Sequence, residues 1–399
     1  MKNILLNNFI RYVKIDTMSS EEVNTTPSTN KQFDLAKQLV DELLKLGLKD
    51  IHLSENCFVY ATLPANIDTK ESIGFVAHMD TIPGFSGTNV NPQIIKNYDG
   101  SDIHLNGVSI TNQQFPFMKN LVGKTLITTD GTTVLGADDK AGVAEIMTML
   151  WYYQSTNAPH VNIHVAFTPD EEIGSGIEHF DLSKFNCDYA FTVDGGGYDE
   201  INYENFNAAS AHVIIKGLDI HPGDAKDKMI NASLVAMEFN DLLPTCKPEN
   251  TSGYEGFIHL TDMNGMVGEA HLYYILRDHN LELLDNKKEA FIKAQEAINS
   301  QYGQGSCEVL IKDSYYNMAE LIKKDPRCID KAMSAMNALN IEPVTSPIRG
   351  GTDGARLTYM GLNTPNLGTG GYNCHGPYEF ACLEEMEIVT KILIEIAKA

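Results

Sequence analysis

Apolar residues recur along this chain at two spacings, one suited to helices and one to strands. Residues 32–46 place Phe33, Ala36, Leu39, Val40, Leu43 and Leu44 on one helical stripe, and Gly47 supplies a stop. Short apolar runs at 58–63, 73–77, 163–167 and 189–193 have the length and composition of strands. Between the second and third of these, 140–153 has the pattern of a helix. Alternating strands and helices predict an α/β fold, an α/β/α sandwich around a mostly parallel sheet. Ligands of such sheets bind beyond the carboxyl ends of the strands, so residues directly after the strand-like runs are where chemistry is expected.

The pattern shifts near residue 208. Strand-like segments at 209–216, 257–260, 270–277 and 307–311 alternate with helix-like segments at 231–243 and 281–301, in the order β-α-β-β-α-β. That order predicts a smaller α+β unit of the split βαβ, ferredoxin-like type. The chain therefore reads as one domain built from 1–207 and 319–399, with a second domain, 208–318, inserted into it. The first domain is expected to close with a helix over 383–399. No low-complexity tract and no repeat of solenoid period interrupts this plan.

Composition narrows the partners. With 399 residues, 43% of them hydrophobic, the chain can bury a large core and fill two domains. A formal charge of −23 argues against nucleic acid or an anionic membrane as general partner, since both demand a basic surface. No run approaches the roughly 20 apolar residues that span a bilayer. The first nine residues lack the marks of a secretory signal. Seven cysteines, odd in number, far apart and without a C-x-x-C pair, fit reduced thiols and predict a cytoplasmic protein.

Five short segments at the ends of apolar runs carry the candidate chemistry: His78-Met79-Asp80, Gly136-Ala137-Asp138-Asp139-Lys140, Asp170-Glu171-Glu172, Val193-Asp194-Gly195 and Cys374-His375-Gly376. Together they offer two imidazoles and several carboxylates, nitrogen and oxygen ligands suited to divalent zinc. Each has a blander reading. His-x-Asp alone describes a satisfied surface pair, and His375 stands in a glycine-rich stretch that reads as a turn. Asp138-Asp139 fits an N-cap with an acidic first turn, although capping explains one aspartate better than two. The acid triplet 170–172 is the sharpest signal, because three adjacent acids after a buried strand repel one another unless a cation intervenes. Gly350-Gly351-Thr352-Asp353-Gly354 lacks the Gly-Lys-Ser/Thr ending of a phosphate loop, and no Gly-x-Ser-x-Gly elbow is present.

Taken together, the segments resemble the family of co-catalytic zinc peptidases that includes carboxypeptidase G, dipeptidases and aminoacylases, and within it the tripeptide aminopeptidase branch. The resemblance covers essentially the whole chain, from Arg11-Tyr12, Ile15-Asp16-Thr17 and Thr26-Pro27-Ser28-Thr29 to Ile348-Arg349-Gly350-Gly351-Thr352-Asp353-Gly354. Longer strings carry the branch, among them Ala166-Phe167-Thr168-Pro169-Asp170-Glu171-Glu172 and Asp313-Ser314-Tyr315-Tyr316-Asn317-Met318. It implies two zinc ions per subunit, other divalent metals substituting, with His78 and Asp194 on one ion and Glu172 and His375 on the other. Asp138 would bridge both, because Lys140 fixes the register of the family's Asp-x-Lys. Glu171 would be the general base and Asp80 the carboxylate orienting His78. A non-proline cis peptide is implied at Asp138–Asp139.

The resemblance also makes 208–318 a lid, a unit that mediates dimerisation in several relatives, so a homodimer through it is expected. From that unit His221 and Arg277 would face the substrate. Arg277 and Arg349 are candidates for the terminal carboxylate of a peptide, where a guanidinium fork is geometrically apt, although a surface ion pair is the bland reading of each. The expected activity is metal-dependent release of the N-terminal residue from tripeptides, with small peptides as the partners. The rivals are a dipeptidase or aminoacylase on the same metal site, and a non-catalytic metal-binding scaffold.

Overall fold

The computed structural model describes residues 1–399, which separate into two compact units. The first comprises 1–203, 321–346 and 352–399, and the second 204–320 and 347–351. The second unit thus takes in 347–351, which carries Arg349 and was grouped on sequence with the first domain.

A seven-stranded sheet organises the first unit. At its centre Asn162–Thr168, Ser72–His78, Tyr189–Gly195 and Asn366–Gly368 lie side by side and parallel. Antiparallel neighbours flank them, Val59–Leu63 and Lys49–Leu53 on one side and Ile201–Asn202 on the other. The parallel core follows from side chains buried on both faces: Ile73, Phe75 and Val76 are almost fully enclosed, as such a sheet requires. The helix Ala137–Thr156 packs on two of the central strands, and Lys2–Val13 and Leu383–Ala397 pack against that helix. A cluster including Phe58, Tyr60, Val76, Ala166, Phe180, Phe185 and Leu357 fills another part of the core.

The early helix spans Gln32–Lys45 and buries Gln32, Leu35, Ala36, Leu39 and Leu43. Leu44 is 59% exposed, so the stripe expected from sequence was rotated slightly. Leu35 belongs to the buried face because it stands one turn before Leu39 on the same side, whereas Leu44 is turned about 100° round the helix from Leu43. A second sheet, joining Gly371–Tyr372, Phe380–Cys382, Leu126–Thr128 and Gln93–Ile95, packs over a cluster that includes Tyr98, Met118 and Phe380.

The second unit is a four-stranded antiparallel sheet in the order Phe257–Gly265, Glu269–Asp278, Asn207–Lys216, Cys307–Tyr315. Helices Ala232–Asp241 and Leu281–Tyr302 pack against it, burying Val213, Ile215, Phe239, Leu272, Leu276 and Phe291. All seven cysteines are unpaired. No helix is long and apolar enough to cross a membrane.

Candidate metal centre

Three of the central parallel strands end in the acid and imidazole groups singled out from sequence. His78 is the last residue of Ser72–His78, Asp194 is next to last in Tyr189–Gly195, and Glu171 and Glu172 follow Asn162–Thr168. Parallel strands bring their carboxyl ends to one edge, so residues far apart in sequence meet there.

His78 Nε2 lies 2.8 Å from Asp138 Oδ1 and 3.4 Å from Asp194 Oδ1. Its Nδ1 faces the Asp80 carbonyl oxygen at 3.1 Å and Asp80 Oδ1 at 3.3 Å. His375 Nε2 lies 3.1 Å from Asp138 Oδ2 and 3.1 Å from Glu172 Oε2. Asp138 therefore turns one carboxylate oxygen to each imidazole. Two overlapping groups of donor atoms are close enough to hold a cation, His78 with Asp138 and Glu172, and His78 with Asp139 and Asp194. Asp139 belongs to the second group by distance, yet its carboxylate is committed to backbone: Oδ2 receives the His78 N–H at 3.3 Å and Oδ1 the Gly142 N–H at 3.1 Å. Asp138, facing both imidazoles, is the better donor. The Asp138–Asp139 peptide is cis.

The electrostatics are those of crowded, buried acids. Burial, then the charge of Asp194, pushes the Glu171 carboxyl well above its ordinary range, with Asp353 and Glu172 adding to the effect. Burial raises Asp194 to about 7. Burial also raises Glu172, against a hydrogen bond with His375. Burial works against a charged His78, but Asp194 and hydrogen bonds to Asp138, Asp194 and Asp80 carry its pKa well above the usual imidazole value. Hydrogen bonds to Asp138 and Glu172 raise His375 to about 10. Mutually repelling carboxylates with two convergent imidazoles fit a pair of divalent cations, which would supply the missing positive charge.

Side chains from other segments tie down the backbone of these residues. The N–H groups of Glu171 and Glu172 donate to Asp80 Oδ1 and Oδ2, at 3.0 and 3.3 Å. Asp80 thus serves the glutamate loop as well as His78. The Asp194 N–H donates to Asn366 Oδ1 at 3.2 Å, and the Asp138 N–H to Glu379 Oε1 at 3.1 Å. Asp170, in left-handed backbone at φ 55°, receives the Ser28 N–H, the Ser28 hydroxyl and Gln32 Nε2 within 2.7 Å. Glu379, Asn366 and the anchoring role of Asp170 are absent from the sequence reading. The only local signal for Glu379 is an acid at the start of an apolar run, four residues after His375.

His221, Arg277 and Arg349 belong to the second unit. His221 is exposed, and its Nδ1 accepts the Gly223 N–H at 3.1 Å, so the neutral ring carries its proton on Nε2. Arg277 stacks over the Tyr315 ring and donates through Nη1 to the carbonyls of Ala209 and Leu276. Arg349 lies over Phe206 and Phe257 and donates to the carbonyls of Gly253 and Glu255 at 2.8 Å and to the Thr251 hydroxyl at 3.0 Å. Both its terminal nitrogens are thereby engaged in holding 251–255.

Comparison with known proteins adds a family. The model of peptidase family M20/M25/M40 matches residues 134–399. The chain is 50% identical over 400 residues to peptidase T of Caldanaerobacter subterraneus subsp. tengcongensis, covering 99% of this chain and 98% of that protein. The crystal structure of aminopeptidase PepT from Bacillus cereus matches with a TM-score of 0.80 at 23% identity, covering 100% of this chain and 98% of the other. A tripeptidase from Staphylococcus aureus matches with a TM-score of 0.81 at 21% identity and the same coverage. At those identities the two structures speak to the fold.

Proposed function

The chain belongs to peptidase family M20/M25/M40, and from that premise we propose that it is a dinuclear zinc aminopeptidase that releases the N-terminal residue of tripeptides. The observation that carries this reading is the divided Asp138 carboxylate, with Oδ1 toward His78 and Oδ2 toward His375. The relatives named peptidase T support the tripeptide substrate. Nitrogen and oxygen donors without a thiolate suit zinc and leave room for other divalent metals.

In this proposal His78 and Asp194 hold one cation, Glu172 and His375 the other, and Asp138 both. When bound, the cations supply a Lewis acid for the scissile carbonyl and lower the pKa of the attacking water. Glu171 accepts the proton that water loses and hands it to the leaving amine, a role worth roughly 10²–10⁴-fold in rate. Asp80 orients His78 and, through the N–H groups of Glu171 and Glu172, sets where the base stands. The Nε2–H of His221 is suited to donate to the carbonyl oxygen as it gains charge. Arg277 keeps Nε and Nη2 for a substrate carboxylate. Arg349 supports the reading less, because its guanidinium already serves the 251–255 segment.

Seven unpaired cysteines support a reducing compartment, and the cytoplasm is the proposed location. A homodimer through the second unit is part of the same proposal, supported by the two edge strands of its sheet.

One assay tests the activity. A free tripeptide, its N-acetyl form, its C-terminal amide, a dipeptide and an N-acyl amino acid are compared with and without a chelator. Only the peptides with a free amine should turn over, the tripeptide fastest, and zinc should restore the chelated enzyme. Arg277→Ala should raise KM for the free tripeptide more than for its amide. Activity indifferent to chelation, or strongest on the N-acyl amino acid, would overturn the proposal.

A further inference from the structure

Glu379 is 1% exposed and its carboxylate receives three backbone N–H groups, from Leu135 at 2.6 Å and Gly136 at 2.9 Å on Oε2, and from Asp138 at 3.1 Å on Oε1. The turn it grips is tight: Gly136 stands at φ 78°, and the N–H groups around it form an anion-binding concavity filled by this one side chain. Glu379 itself sits four residues after His375, and its own N–H donates to the Gly376 carbonyl at 3.2 Å. A side chain on the His375 loop thus holds the backbone of the Asp138 loop. The two loops supply the pair His375 Nε2 and Asp138 Oδ2, 3.1 Å apart.

We propose that Glu379 is a positioning residue that sets Asp138 against His375 and so governs how firmly the cation shared by these two is held. The inference rests on the dinuclear reading above and assigns Glu379 no contact with substrate. A buried carboxylate is an expensive way to close a turn unless its donors are well placed and its position matters. The alternatives differ chemically. A glutamine keeps one acceptor oxygen for Leu135 and Gly136 but presents an NH₂ to the Asp138 N–H, donor against donor. An alanine removes all three bonds.

The test is a zinc competition titration against a chromophoric chelator, with zinc content per chain, on the full-length wild type, E379Q, E379A and E385Q. Glu385 is the matched control, a buried carboxylate bonded to Lys124 and Tyr372 outside the centre. The wild type should bind two zinc ions. E379Q should keep one and weaken the other by roughly 10–100-fold, the usual effect of losing a residue that orients a metal ligand. E379A should weaken it at least as much, and E385Q should retain both. Near-UV circular dichroism checks the fold, and if E379Q does not fold, E379D carries the same expectation, since it keeps the charge and shortens the reach. Two zinc ions bound at wild-type affinity in folded E379Q would overturn the inference, as would an equal loss in E385Q. A wild type that binds no zinc would instead overturn the dinuclear reading, so the two failures are distinguishable.

Discussion

Asp138 and Asp139 are neighbours of the same type, and the fold gives them opposite work. Asp138 offers its oxygens to two imidazoles, whereas Asp139 gives both of its own to backbone N–H groups of His78 and Gly142. Glu171 and Glu172 divide in the same way. Glu172 Oε2 touches His375, while burial, and then the charges of Asp194, Asp353 and Glu172, keep the Glu171 carboxyl eager for a proton. Glu171→Gln should therefore lower kcat by roughly 10²–10⁴-fold with the metal content unchanged, because only proton transfer is lost. Glu172→Gln should lower the metal content toward one ion per chain. Metal analysis beside steady-state kinetics separates them, and equal metal content with similar rates in both would reverse the assignment.

The helix Ala137–Thr156 shows how one element serves both packing and the centre. Asp138 and Asp139 have non-helical backbone, so the regular helix begins at Lys140. Gly142 then passes so close to the strand Tyr189–Gly195 that a Cβ would overlap the Val193 carbonyl oxygen and stand 2.6 Å from Asp139 Oδ1. The glycine lets the helix lie against the strand that ends in Asp194. Gly142→Ala should push the helix off and destabilise the protein by about 1–3 kcal/mol, the usual cost of overpacking. Urea denaturation measures this, and an unchanged midpoint would show that the contact relaxes freely. The glutamate loop is held differently, by hydrogen bonds: Asp170 clamps it to Ser28 and Gln32, and Asp353 receives the Thr168 hydroxyl at 3.0 Å.

Across the whole molecule, burial of imidazoles outside the centre shapes the response to acid. Burial lowers the pKa of His160 and of His164, so the folded state binds fewer protons there than the unfolded chain. The unfolded imidazole titrates near about 6.5. Stability from these two residues is thus fully present above that pH and is lost as pH falls toward their lowered folded values. Replacing both by glutamine should flatten the fall in urea midpoint between about pH 7 and pH 5. Subtracting the variant's curve from that of the wild type removes the contribution of the metal centre, which titrates in both. A variant curve parallel to the wild type would sink the prediction.

What is local in this protein was legible in its sequence. The apolar runs at 58–63, 73–77, 163–167 and 189–193 mark strands that the structure places at 59–63, 72–78, 162–168 and 189–195, and the acids and imidazoles at or after their ends stand out because such groups are costly beside a core. Of the antiparallel flanks only Val59–Leu63 was legible, since Lys49–Leu53 and Ile201–Asn202 are short and lack a distinctive apolar pattern. Helix rotation was misjudged at Leu44 because neighbouring leucines satisfy nearly the same periodicity. The partners that fix the centre were decided by tertiary structure alone. The Asp138–Glu379 bond joins residues 241 apart and the Asp170–Ser28 bond residues 142 apart. Which oxygen of Asp138 meets which imidazole depends on where three chain segments cross in space, and no periodicity along the chain records that crossing.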